Sequence, residues 1–187
     1  MIINSFRFLD KDEVFSNPSY LNWSRCSEWG YVESELSKLS GKTVHNTCCG
    51  CKPIHLNFAK KISQTNNRIY NSDIKDSIIK ELGDFSIYNI TVPSDVKYDV
   101  VLCISALEHL KRKNRVKAFN ALYDSVKPGG RLIITCDYPD VEIEMLEGLL
   151  NEKCKRSSDP LNGNNSTTVQ PECGGLNVVL IDITKPN

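Results

Sequence analysis

The sequence predicts an α/β fold: a Rossmann-like, open and mostly parallel sheet with helices on both faces and a late antiparallel strand. Three observations carry this. The stretch YDVVLCISALEH, ending at His109, is an apolar β run that closes in a small polar turn and a Glu-His pair opening a helix. The stretch VKPGGRLIITC, residues 126–136, reads as a helix end, a Pro-Gly-Gly turn and a second apolar strand. Both strands are nearly unbroken in Val, Ile and Leu, as expected of parallel strands covered on both faces. A strand–helix–strand unit of this kind is a right-handed crossover, and ligands of such sheets sit beyond the carboxyl ends of the strands. Ser105, Glu108 and Asp137 fall at those ends.

The elements follow in order. Residues 4–20 read as an irregular lead-in. Trp29, Val32, Leu36 and Leu39 form a helical stripe over 27–39 that stops at Ser40-Gly41. Residues 43–47 form a short strand. Pro53 opens a helix through Ile62, with Ile54, Phe58, Ala59 and Ile62 on one face; proline suits a first turn. A strand over 68–71 ends at Asp73, and a helix over 74–82 is closed by Gly83. Strands at 84–90 and 98–104 follow, then a helix over 115–126, a strand over 131–136 and a helix over 141–150. Residues 157–168, rich in Ser, Asn and Gly, read as a loop over the active edge of the sheet. Residues 176–183 form the last strand, which follows a long loop and so can insert antiparallel without a crossover helix.

Composition narrows the function. The 23 basic and 23 acidic residues cancel, which argues against nucleic acid as partner, because phosphate binding needs a basic surface. The one dense basic run is Lys111-Arg112-Lys113 with Arg115 and Lys117; it reads as a solvated helix face or a phosphate contact. No signal peptide is visible, and no apolar run approaches the roughly 20 residues of a membrane span. Asn-x-Ser/Thr triplets at Asn22, Asn89, Asn164 and Asn165 are then chance. Of eight cysteines, Cys103 and Cys136 sit in predicted core strands, where a free thiol acts as a small hydrophobe. A reducing cytoplasm is the expected setting.

The order of elements, with YDVVLCISALEHL and VKPGGRLIITCDYP, resembles the class I S-adenosylmethionine-dependent methyltransferases over residues 25–138, with a weaker echo in 177–186. Members with a Trp-Glu-Tyr-like segment before the first strand, here SRCSEWGYV, are often associated with bacterial surface glycans. The resemblance implies one domain over 1–187: a cap segment at 1–40, a cofactor-binding core at 41–138, and a C-terminal helix, loop and strand at 139–187. It implies S-adenosylmethionine as cofactor and a small molecule or glycan as acceptor, a sugar hydroxyl among them. Oligomeric state is left open.

Under this resemblance, TVHNTCCGCKP at 43–53 takes the place of the cofactor loop. Asn46 stands where the family has an acid, and Cys48, Gly50 and Lys52 stand at its three glycines. Glycines there permit positive φ and close backbone approach. The Cys48 side chain enters the methionine region, and Lys52 brings a cation toward a positive sulfonium. Asn46 can accept from an ammonium, without an acid's charge. Asp73, 23 residues beyond Gly50, suits the ribose hydroxyls or a helix N-cap. Asn89 and Ile90 fall at the adenine position, where the Asn89 carbonyl oxygen can serve, or at a plain turn. Ile104 and Ser105 lie beneath the sulfonium. Glu108 and His109 match the family's Glu-His pair. His109 suits a general base for a hydroxyl, or packs on the sheet; Glu108 suits a helix N-terminus. Asp137 and Tyr138 can orient an acceptor. Trp23, Trp29 and Tyr31 can lid the pocket or pack the helix.

Three rivals remain. His45, Cys48, Cys49, Cys51 and His55 are metal-ligand types within eleven residues, but adjacent Cys48-Cys49 suits one tetrahedral ion poorly and no second knuckle exists, so no metal is expected. A retired fold acting as a binding or scaffolding module follows if Cys48 and Lys52 block the cofactor. A cysteine nucleophile at Cys49 has a helix N-terminus nearby but no assignable base.

Overall fold

The computed structural model describes residues 2–9, 25–153 and 177–187; Trp23 and the predicted loop over 157–168 lie outside them. Seven strands form one sheet: β1 (Ile2–Phe8), β2 (Thr43–Thr47), β3 (Arg68–Asp73), β4 (Phe85–Ile87), β5 (Tyr98–Ile104), β6 (Val126–Tyr138) and β7 (Asn177–Thr184). Their spatial order is β1-β7-β6-β5-β2-β3-β4. The pairings from β6 across to β4 are parallel, and β7 runs antiparallel to both β6 and β1. This is the mostly parallel sheet with a late antiparallel strand that the sequence predicts. Among the described residues four helices cover it: α1 (Arg25–Ser37), α2 (Pro53–Ser63), α3 (Arg112–Asp124) and α4 (Ile143–Lys153).

The alternation of β5 explains the layers. Val100, Leu102 and Ile104 join Trp29, Val32 and Leu36 of α1 and Phe58 and Ile62 of α2. Val101 and Cys103 face the other way and join Ala118, Phe119 and Leu122 of α3 and Leu146, Leu149 and Leu150 of α4. A strand buried on both sides has no polar face to show, hence its unbroken apolar run. From β2 the chain crosses through α2 to β3 on one side, while β5 flanks β2 on the other. The switch point of the sheet, where such folds bind ligands, therefore lies between β2 and β5.

The structure corrects four expectations. Residues 2–8 are not a lead-in but the edge strand β1, which pairs with β7; none of its side chains is fully buried, so no period marked it. Asn4 anchors it through Asp182 Oδ1 (2.8 Å) and Thr184 Oγ1 (2.9 Å). The helix expected over 74–82 shrinks to a 3-10 turn, Ile78–Leu82, capped by Ser77 and ended by Gly83 at φ 79°. The strand expected over 84–90 shrinks to three residues, because Asn89 turns the chain by accepting from Thr91 N (3.0 Å). Leu107–His109 is one isolated 3-10 turn rather than the start of a helix, since Leu110 is extended and α3 begins only at Arg112. Arg115 holds that turn by donating to the carbonyls of Leu107, Glu108 and Leu110. The basic run thus includes one structural arginine; Lys111, Arg112, Lys113 and Lys117 are exposed.

Candidate functional site

A cavity of about 530 Å³ opens at the switch point. The end of β2 supplies Asn46 and the turn after it Cys48, Cys49, Gly50 and Lys52; Asp73 ends β3 and Ile74 follows it; the turn after β4 supplies Tyr88, Asn89 and Ile90. The end of β5 adds Ile104, Ser105 and Ala106, followed by His109 and Leu110, and the cap side adds Arg25, Trp29, His55 and Phe58. All eight residues expected at a cofactor are therefore in one wall: Asn46, Cys48, Gly50, Asp73, Asn89, Ile90, Ile104 and Ser105.

Local chemistry explains the shape of the loop. Cys48 adopts φ 50° and Gly50 φ 83°, both left-handed, so the turn does need glycine-like backbone at two places. At the third place Lys52 has φ −94° and ψ 155°, ordinary extended backbone, and needs no glycine. Its side chain is exposed at the N-cap of α2. Gly50 donates N–H to Asp73 Oδ2 (2.9 Å), and its carbonyl accepts from Ser77 Oγ (2.5 Å). A Cβ on Gly50 would lie 2.0 Å from His55 Nδ1, so the imidazole packs where any side chain would be. That nitrogen accepts from Lys52 N (3.2 Å).

The polar groups differ in how committed they are. Asn46 is buried and donates its amide to Asn71 Oδ1 (2.9 Å). The Asn89 carbonyl oxygen, expected to meet an adenine amino group, is already taken by Thr91 N and Oγ1. What it has left for a ligand is the amide N–H, a donor. Trp29 stacks on Phe58 (centroids 4.8 Å apart) and meets His55 edge-on (6.2 Å), so it is at once packed and part of the wall. Tyr31 is not a lid: its hydroxyl donates to Asp182 Oδ2 (2.7 Å). Tyr138 packs edge-on against Phe8.

Of the residues expected in catalysis, only His109 lines the cavity. Glu108 and Asp137 do not line it; both are buried, and Glu108 Oε2 has no hydrogen-bond partner among the described residues. Burial pushes the Glu108 carboxyl up to about 8, and the neighbouring Glu28 and Asp137 carboxylates push the same way. Cys49 is no activated thiol, because burial and the Asp73 charge raise it to about 12. His45 and His55 do not converge: His45 binds Ser72 Oγ (2.8 Å) between Tyr88 and Tyr98, and burial lowers it to about 4. Among the described residues no group of three His, Cys, Asp or Glu is arranged to hold a metal.

Sequence reasoning missed Arg25 and Glu28. Glu28 is fully buried, and its Oε2 accepts from Arg25 Nη1 (2.5 Å). Its Oε1 accepts from the Ser105 hydroxyl and from Thr135 Oγ1 (2.6 Å). Burial opposes the Arg25 charge, but Glu28 outweighs it and keeps the guanidinium firmly protonated. The signal was present as two charges three apart on the buried stripe of α1, where unpaired charges do not occur.

Residues 49–134 match the family model described as a methyltransferase domain. The chain's fold is similar to that of solved methyltransferases. The 1,6-didemethyltoxoflavin-N1-methyltransferase of Burkholderia thailandensis superposes with a TM-score of 0.65 at 14% identity, covering 89% of this chain and 80% of that one. The N-methyltransferase NodS of Bradyrhizobium japonicum gives 0.61 at 12% identity, covering 95% and 96%. Magnesium protoporphyrin IX methyltransferase of Synechocystis gives 0.60 at 16% identity, covering 84% and 77%. Among curated proteins, none matches the sequence significantly. The matched span includes Gly50, Asp73 and Ser105, whereas Asn46, Cys48 and the Arg25–Glu28 pair of α1 precede it.

Proposed function

We propose that this chain transfers a methyl group from S-adenosylmethionine to a small polar acceptor, such as a sugar hydroxyl of a glycan precursor, in the cytoplasm. The observation that carries the reading is the tie between Gly50 and Asp73 at the switch point: it holds a carboxylate at the cavity wall next to a left-handed backbone. The donor set fits the cofactor. Asp73 offers carboxylate oxygens to ribose hydroxyls, Ile74 and Ile90 offer apolar walls to a base, and Asn89 offers a ring-directed N–H. Arg25 offers a guanidinium to a carboxylate, and Asn46, Cys48, Gly50, Ile104 and Ser105 line the space between. When bound, the cofactor supplies an electrophilic methyl group on a sulfonium. The protein's task is alignment, exclusion of water and, for a hydroxyl, removal of a proton. His109 is the base at the acceptor side; Glu108, in the same turn, accepts from Asp137 N (3.5 Å). The six described cysteines are all free thiols, in keeping with a reducing compartment.

Cys48 favours a second reading. An L-residue at φ 50° in the cavity wall suits a fold retired from catalysis that binds or scaffolds. Titration calorimetry with S-adenosylmethionine and S-adenosylhomocysteine separates the two. Saturable binding supports the enzyme. A folded protein that binds neither supports the retired module. Transfer of labelled methyl to sugars then tests the acceptor class.

A further inference from the structure

We infer that Glu28 is a positioning residue for the amino-acid end of the cofactor site, aiming Arg25 at a carboxylate and holding the Ser105 turn in place. This rests on the cofactor reading above. One carboxylate joins three elements: α1 through Arg25, the end of β5 through Ser105, and β6 through Thr135. Its two oxygens are divided between these tasks. Oε2 takes the guanidinium, and Oε1 takes both hydroxyls.

The division matters because one carboxylate sets two residues of the cavity wall. Arg25 begins α1, and long side chains lose much rotamer freedom when a ligand fixes them. Pairing with Glu28 pre-sets the planar fork of a guanidinium that lines the cavity. Ser105 sits at φ 41°, an unfavourable conformation for serine. Its N–H is held by Thr135 O (3.0 Å), and its side chain by Glu28. Both Arg25 and Ser105 face the cavity, whereas Glu28 does not line it, so its influence on a ligand passes through them. At the ribose and adenine end, Asp73 accepts from the N–H groups of Gly50 and Lys75, and Asn89 accepts from Thr91.

That difference in partners gives a test a merely structural role would not pass. Glu28→Gln keeps the shape and a carbonyl oxygen but loses the charge that holds Arg25. S-adenosylhomocysteine carries the amino-acid end; 5′-methylthioadenosine lacks it. By calorimetry, Glu28→Gln should weaken S-adenosylhomocysteine about tenfold or more, the loss of a charge-assisted hydrogen bond, and change 5′-methylthioadenosine less than about twofold. Arg25→Gln should give the same selective loss, and the double variant should add little, as expected for coupled residues. Glu28→Asp, which keeps the charge, should recover part of the affinity. Equal loss on both ligands, or no loss on S-adenosylhomocysteine, overturns the inference. If Glu28→Gln does not fold, Arg25→Gln and Glu28→Asp carry the comparison alone. A wild-type protein that binds neither ligand overturns the cofactor reading itself and this inference with it.

Discussion

Gly50 donates its backbone N–H to the Asp73 carboxylate across 2.9 Å, tying the turn after β2 to the end of β3. The other Asp73 oxygen accepts from Lys75 N (3.2 Å). Asp73→Ala removes the tie and the ribose acceptor together. Hydrogen bonds to a charged group contribute about 1.5–3 kcal/mol each, so affinity for S-adenosylhomocysteine should fall by about tenfold or more. Calorimetry on the folded variant checks this; unchanged affinity would locate the cofactor elsewhere.

Gly50→Ala should be worse than a routine surface change. The new Cβ meets His55 Nδ1 at 2.0 Å and Cγ at 2.4 Å, at φ 83° where L-residues are strained. The imidazole must leave, and the backbone penalty of about 1–2 kcal/mol remains. Thermal melting should show a clear drop. Adding His55→Ala relieves the clash but not the strain, so the pair should recover only part of the loss.

Cys48→Gly tests whether the altered loop limits binding. Glycine removes the strain at φ 50° in a residue of the cavity wall. It also gives up packing against the core and adds about 0.5–1 kcal/mol of unfolded-state freedom. These nearly cancel, so the melting temperature should stay within about 3 °C while affinity for S-adenosylhomocysteine rises. Lys52→Gly should give no such gain, because that residue is extended and its side chain exposed. Weaker binding by Cys48→Gly would mean that the thiol contributes to the site.

Stability should depend on pH in two limbs. Burial, helped by Glu28 and Asp137, raises Glu108 from 4.5 to about 8. The folded state then holds this proton more tightly than the unfolded chain. Its contribution is whole below 4.5 and declines as pH rises toward about 8. Burial lowers His45 from 6.5 to about 4, so its contribution is whole above 6.5 and is lost as pH falls toward about 4. Between 4.5 and 6.5 the two slopes oppose each other. Denaturant unfolding across this range should show a plateau there and a fall on either side. Glu108→Gln should flatten the alkaline limb and His45→Gln the acid limb. A wild-type limb that survives Glu108→Gln assigns the effect to another group.

The sequence by itself determined the sheet and the edge at which its cavity opens. Val100 to Ile104 and Leu132 to Ile134 are apolar without a break, and only strands covered on both faces need that. The crossover between them puts Ser105 at a carboxyl end, and spacing alone brought Asp73 to the same wall. Tertiary structure decided what neighbours could not announce in a linear pattern. β1 exists because β7 offers it an edge, not because its own side chains alternate in burial. Glu108 left the helix start because Arg115, from the next helix, collects the carbonyls around it. Lys52 proved harmless in backbone terms, and Cys48 did not, because φ is set by how the turn meets β3 and α2. Above all, Glu28 and Arg25 read as ordinary helix charges until α1 docked over Ser105 and Thr135. Partners 77 and 107 residues away make the carboxylate worth burying, and distance in sequence hides such a pair.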